Sequence, residues 1–135
     1  MPVADPINLS RTPIHLDQSA SAQLLHDFDF DGPSFEAYVA KYCSESAPGR
    51  LVMMETTAAD WKTWERHPLG DELVIILEGA GDFIQQQGDQ EVRIAVGPGD
   101  TIVNPAGVWH TADVRESIRA VYITPCPGTD HKPRA

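Results

Sequence analysis

Past residue 50 the apolar residues fall into short runs, Leu73 to Leu77, Phe83 to Gln85, Val92 to Val96, Thr101 to Val103 and Ile118 to Ile123. Each run is bounded by glycine, proline or aspartate, which is the pattern of strands separated by turns. The breaks, Glu78-Gly79-Ala80-Gly81, Gly88-Asp89, Gly97-Pro98-Gly99-Asp100 and Asn104-Pro105-Ala106-Gly107, recur at the interval of a sandwich or barrel. Ten glycines and eleven prolines supply this punctuation and leave little room for long helices. The fold class predicted is all-β.

The earlier part of the chain is less regular. Residues 1–33 are polar and carry Pro2, Pro6, Pro13 and Pro33, with one brief alternation around Ile14 and Leu16 that predicts a short strand. Gln18 to His26 has the length of two helical turns, which Ser19 and Ser21 weaken and Phe28-Asp29-Phe30-Asp31-Gly32 ends. Ser34 to Ser44 fits a helix through Phe35, Val39 and Tyr42 or a strand. The turn Ala47-Pro48-Gly49 favours a strand folded back on Leu51 to Thr57 as a hairpin. The organisation expected is an arm with the first strand or strands over 1–49, packed on the barrel or on a partner subunit, a barrel core over 50–124, and a tail over 125–135. The tail has no apolar pattern and is expected to lie over the barrel or stay mobile.

At 135 residues and 41% apolar content the chain suits one domain with one core. Its formal charge of −10, with no basic cluster, makes nucleic acid a poor partner. No apolar run approaches the roughly 20 residues of a membrane helix, so no membrane is expected. The amino terminus lacks the charge and apolar stretch of a secretion signal, which points to the cytoplasm. Cys43 and Cys126 are the only cysteines, too few for a disulfide scaffold and not in a Cys-x-x-Cys pair, and are read as small core or edge residues.

Candidate chemistry lies near the centre. If residues 64–67 are extended, period-two geometry projects Glu65 and His67 from one face, half of a metal site. Pro68 and Gly70 then interrupt the strand, and Glu72 opens the apolar strand that ends at Gly79 and offers a third ligand. A turn through Asn104-Pro105-Ala106-Gly107 delivers His110 to the start of another strand as a fourth. The competing readings are histidines satisfied by backbone at strand ends, a solvated Glu72, and a Glu65 paired with Lys62 or Arg66. Trp61, Trp64 and Trp109 flank these residues and suggest an aromatic pocket wall, against ordinary core packing for two of the three. By strand parity only one of Met53 and Met54 faces inward, and Met53 is taken as pocket lining. His15, His26 and His131 lie in the arm or tail and read as surface residues, His131 least safely because the tail can fold over the barrel.

These residues resemble the cupin superfamily, whose first motif runs Gly-x5-His-x-His-x3-4-Glu-x6-Gly and whose second runs Gly-x5-Pro-x-Gly-x2-His-x3-Asn. His67, Glu72 and Gly79 match the first motif in spacing, and Gly99, Pro105, Gly107 and His110 match the second. Glu65 stands at the first histidine position, no glycine leads the first motif, and Val114 replaces the closing asparagine. The phrases Gly70-Asp71-Glu72-Leu73-Val74, Asn104-Pro105-x-Gly107-Val108-Trp109-His110 and Gly128-Thr129-x-His131-x-Pro133-Arg134 look like a bacterial group of single-domain cupins.

The resemblance implies a double-stranded β-helix, or jelly-roll, barrel with an amino-terminal strand-containing extension. It also implies a homodimer, for which Phe35, Tyr38 and Val39 in the arm are candidates. His67, Glu72, His110 and Glu65 become candidate ligands of a divalent iron, manganese, zinc or nickel ion. Without Glu65, two histidines and one carboxylate suit iron(II) oxygen chemistry. With it, two carboxylates neutralise the ion and isomerase or lyase chemistry becomes plausible. The rival reading is a module that binds or senses a small molecule without turning it over, since the fold hosts both. No nucleophile motif or phosphate loop is present, and no catalytic residue is assigned.

Overall fold

A computed structural model describes residues 5–29, 32–43, 49–126 and 128–135. In chain order the elements are β1 (Ile14–Leu16), β2 (Ala22–Leu24), α1 (Pro33–Tyr42), β3 (Gly49–Thr57), β4 (Thr63–Arg66), β5 (Glu72–Gln87), β6 (Gln90–Val96), β7 (Thr101–Asn104), β8 (His110–Cys126) and β9 (Asp130–Pro133). All strand pairings are antiparallel. β8 is the hub, pairing with β3, β4 and β5, while β5 also pairs with β6 and β7. The mostly-β expectation therefore holds, and the architecture is that of a double-stranded β-helix.

The two long strands turn corners through irregular pairing. In β5 the buried positions are Glu72, Val74 and Ile76 before the irregularity and Gly81, Phe83, Ile84 and Gln85 after it, so the alternating set changes from even to odd while Ile84 is buried as well. Register shifts between Ile76 and Gly81 absorb the odd residue. Gly79 permits the bend, with φ +91°, and a Cβ there would run into the Ser117 carbonyl. The main core, formed by residues including Val74, Ile76, Phe83, Ile102, Ile118 and Tyr122, draws on both sides of this bend.

The arm departs from expectation in two places. Ser34 to Ser44 is not a hairpin strand: Pro33–Tyr42 is helical, with Pro33 in the first turn and Lys41 in the last. Propensity for β structure at Phe35, Tyr38 and Tyr42 yields to burial, because these aromatics pack with Phe28 and His15 against β3. Ala47, Pro48 and Ser44 lie outside the described residues. Gln18 to His26 is not helical either, since Ala22–Leu24 pairs with β1, whose Ile14 to Leu16 pairs in turn with β3. The Asp17 carboxylate accepts bonds from the backbone amides of Ser19 and Ser21, and this turn chemistry outcompetes a helix.

A second, smaller core gathers Leu25, Tyr38, Cys43, Leu51 and Cys126. Here the reading of two separate cysteines is corrected: Cys43 and Cys126 form a disulfide, Cα atoms 5.1 Å apart, between the end of α1 and the end of β8. A separation of 83 residues hides this pairing from local spacing. His15 is likewise no surface residue, being 1% exposed with Nδ1 2.7 Å from the Tyr38 hydroxyl. No helix among the described residues is long and apolar enough to cross a membrane.

Candidate metal centre

The site grows from three adjacent strands. β4 lies between β8 and β9, and Glu65 is paired with His110 on one side and His131 on the other. Directly paired residues share a face, so the carboxylate stands in a row between two imidazoles. His67, two residues beyond Glu65, projects from the same side as the alternation requires. On the neighbouring part of the barrel, Glu72 at the start of β5 is paired with Asn104 of β7.

Side chains from these positions converge. Glu65, His67 and His110 each offer one ligand atom, and the three atoms lie within 4.8 Å of one another. Glu72 joins them, with Oε2 3.2 Å from His67 Nε2 and Oε1 3.3 Å from His110 Nε2. Glu65 Oε2 stands further off, at 3.9 Å and 3.8 Å from the same two nitrogens. His67, His110 and Glu72 are buried, whereas the Glu65 side chain keeps 27% of its surface exposed at the cavity side.

Hydrogen bonds hold each group in place. Asn104 Nδ2 donates to Glu72 Oε1 at 3.0 Å, and the Thr124 hydroxyl donates to Oε2 at 2.7 Å. Gln85 in turn donates to Asn104 Oδ1 and to the Val103 carbonyl, fixing the amide orientation. His110 Nδ1 lies 3.4 Å from the Val108 carbonyl, which can only accept, so the hydrogen sits on Nδ1 and the lone pair of a neutral ring on Nε2. His67 Nδ1 is 2.9 Å from the Thr129 hydroxyl.

Two atoms remain unsatisfied. His67 Nε2 and His110 Nε2 are buried and have no hydrogen-bond partner, although carboxylate oxygens are near. Buried polar atoms are paired as a rule, and a cation coordinated by both nitrogens and the facing carboxylates removes this cost. The donor set of imidazole and carboxylate suits iron, manganese, zinc or nickel. The same groups stabilise one another's charged forms, the interaction a bound cation would replace. Burial alone pushes the Glu72 carboxyl up, but His110 and His67 outweigh it and hold it well below the usual carboxylate range. Burial opposes charging of His110, yet Glu65 and Glu72 prevail and its imidazole is pushed up to about 9.

The centre lies at one end of a cavity of about 770 Å³. Its other end is apolar, lined by Phe35, Tyr38 and Val39 of α1 with Leu51, Met53 and the disulfide. The geometry, the strand order and the spacing of His67, Glu72 and His110 coincide with one known architecture, and the Cupin domain family model matches residues 51–124, more than half of the chain. The chain belongs to the cupin family. A stretch of 56 residues is 46% identical to acireductone dioxygenase of Danio rerio, covering 40% of this cupin and 31% of that protein. The same enzyme of Rhodopseudomonas palustris (strain TIE-1) is 46% identical over 56 residues, covering 42% of this chain and 33% of that one. The chain thus spans about a third of the length of these curated relatives. Hydroquinone 1,2-dioxygenase from Sphingomonas sp. TTNP3 has a similar fold, with TM-score 0.50 and 12% identity over 58% of this chain and 60% of that one.

Within this cupin the tryptophans separate. Trp61 and Met53 line the cavity, whereas Trp64 is buried and neither it nor Trp109 is among the cavity-lining residues. The Trp109 ring is instead flanked by Arg66 at 4.6 Å and Lys132 Nζ at 4.5 Å. Asn104, Thr124, Gln85 and Thr129 were not among the candidate site residues, although Asn104 and Thr129 stand in the phrases quoted from the sequence. Pairing Asn104 with Glu72 needs the β5–β7 register, and Thr124 and Thr129 reach the site only through the course of β8 and β9. His131 is exposed, as its reading as a surface residue expects, and its Nε2 lies 3.2 Å from Glu65 Oε1.

Proposed function

We propose that this cupin is a metal-dependent enzyme acting on a small oxygen-bearing molecule, with dioxygenase chemistry the favoured reaction. The observation that carries the reading is the pair of buried, unpartnered Nε2 atoms of His67 and His110 facing two carboxylates at the end of a cavity. His67, His110, Glu72 and Glu65 are the proposed ligands of a divalent iron, manganese, zinc or nickel ion. The names of the acireductone dioxygenase relatives support an oxygen-using reaction, carried over from the matched third of those proteins.

When bound, such an ion supplies Lewis acidity to a coordinated oxygen and, as iron(II), a place for dioxygen chemistry. The chain does the rest. Asn104 and Thr124 satisfy the Glu72 carboxylate from outside the cluster, so its oxygens stay aimed inward. Trp61, Met53 and Tyr122 line the cavity, and burial raises the Tyr122 phenol further above neutral pH.

Elemental analysis of protein purified without added metal tests the ligand assignment. Wild-type protein is expected to retain a divalent metal and His110→Ala to lose most of it, and equal retention in both overturns the assignment. Oxygen uptake by metal-loaded protein, screened over a panel that includes acireductone and hydroquinone, tests the reaction. Tight retention of an unaltered ligand with no oxygen uptake overturns it in favour of a binding module.

A homodimer is also proposed, supported by β2 and β9 as terminal strands of the pairing path. Tyr38 supports it less than its place in the arm suggested, because it is buried within its own chain and Phe35 and Val39 line the cavity. Light scattering checks the state. The cytoplasmic placement stands against the Cys43–Cys126 bond, which is a feature of oxidising compartments, and thiol counting in freshly lysed cells decides between them.

A further inference from the structure

Residues 128–135 lie outside the residues that match the family model, yet Thr129 and His131 touch the centre and Asp130 between them holds the strand that carries it. Thr129 Oγ1 is 2.9 Å from His67 Nδ1, Asp130 Oδ2 is 2.8 Å from Arg66 Nε, and His131 Nε2 is 3.2 Å from Glu65 Oε1. Ascending tail residues thus meet descending residues of the ligand strand, as antiparallel register dictates. We propose that β9 completes the metal centre, with Thr129 and His131 as positioning residues that aim His67 and Glu65 at the ion. The inference rests on the metal reading above and extends it to residues outside the two cupin motifs and outside the family match.

Each contact has a definite consequence. When Thr129 accepts the Nδ1 hydrogen of His67, the ring is held in the tautomer whose lone pair is on Nε2, the atom that is otherwise without a partner. When His131 donates to Glu65 Oε1, that oxygen is occupied and Oε2 is left facing His67 and His110. Glu65 needs such a partner more than Glu72 does. It stands at the position where the motif has a histidine, and its side chain is partly exposed rather than gripped on both oxygens by buried donors. Asp130 fixes the strand between them through Arg66, whose guanidinium also covers Trp109.

Cobalt(II) is the probe, because its visible absorption reports the ligand field and its titration gives the affinity. In the full chain, Thr129→Val is expected to weaken cobalt binding by about 10–100-fold and His131→Ala by about tenfold. Thr129→Ser restores the hydroxyl and His131→Gln restores a donor, so both are expected to bind within about threefold of wild type with an unchanged spectrum, by the same second-shell logic. Unaltered melting of the metal-free variants assigns the loss to the centre rather than to the strand. Wild-type protein that binds cobalt tightly alongside unaffected Thr129→Val and His131→Ala overturns this inference alone. A His131→Gln variant as weak as His131→Ala, with a changed spectrum, makes His131 a direct ligand and overturns its positioning role. Wild-type protein that takes up no cobalt overturns the metal reading, and this inference falls with it.

Discussion

Removing the Cys43–Cys126 bond should cost stability without dismantling the metal centre. The bond closes a loop of 83 residues that contains the entire family match. In the chain-entropy account, n of 83 removes conformational freedom from the unfolded chain worth about 4.5 kcal/mol at 25 °C, an upper figure because unfolded chains retain structure. Both cysteines sit in the smaller core beside Tyr38 and Leu51, so a Cys43→Ala, Cys126→Ala variant also loses a little packing, while reduction with a thiol leaves side-chain volume intact. Urea unfolding followed by tryptophan fluorescence is the assay. A loss of about 3 kcal/mol with a slope near 2 kcal/mol/M lowers the midpoint by about 1.5 M. Because the effect acts mainly on the unfolded state, the reduced folded protein is expected to bind cobalt as the oxidised one does. Coincident midpoints with and without reductant, or two reactive thiols in unreduced denatured protein, refute the reasoning.

Other outcomes follow from single contacts. His110→Ala should abolish stoichiometric cobalt binding, read by titration, since it removes one of two buried imidazoles facing the ion site. Glu65→His should shift preference toward nickel and copper relative to manganese, because imidazole suits later metals, and competition titration of both proteins measures it. Arg134→Gln should cost about 1 kcal/mol at pH 7, since Arg134 donates to Asp113 Oδ1 at 2.7 Å and to the Trp61 carbonyl at 3.0 Å. Arg134, then Arg93, holds the Asp113 carboxyl below its usual range against burial, so this stability is present above the unfolded pKa and lost as pH falls through the folded one. The gap between Arg134→Gln and wild type should therefore close in acid melts. Ile76→Ala should destabilise by about 2–5 kcal/mol through the cavity it opens, because Ile76 is fully buried in the main core, and urea melts check it.

The strands after residue 70 were legible because turn residues bound them and because motif spacing carries His67, Glu72 and His110 to one place. The arm was not, for two reasons visible in particular residues. Phe35, Val39 and Tyr42 have helical spacing, but the aromatic and β-branched content and the Ala47-Pro48-Gly49 turn favoured a strand, and the helix is held by a tertiary partner, the aromatic cluster with Phe28 and His15. Asp17 gives no sign in local propensity that its carboxylate will cap a turn and free Ala22–Leu24 to pair with β1. The disulfide escaped for a topological reason: its partners come together only when β8 returns beside β3, Gly49 opposite Cys126.

The same return explains why the centre extends past the motifs. β8 begins at His110 in the site and ends at Cys126 in the second core, so one strand ties the ligand end of the cavity to its apolar end. β9 then pairs antiparallel with β4 on the side away from β8, which places Thr129 and His131 where the ligand strand has donors and acceptors to satisfy. A barrel ending at residue 124 would keep His67, Glu72 and His110. It would lose the partner that holds the His67 ring and the partner that occupies one oxygen of Glu65. A carboxylate at the motif's histidine position and an imidazole from the next strand are, on this geometry, two halves of one arrangement: the proposed ligand set gains one negative unit, and the group that bears it has a partner that orients it.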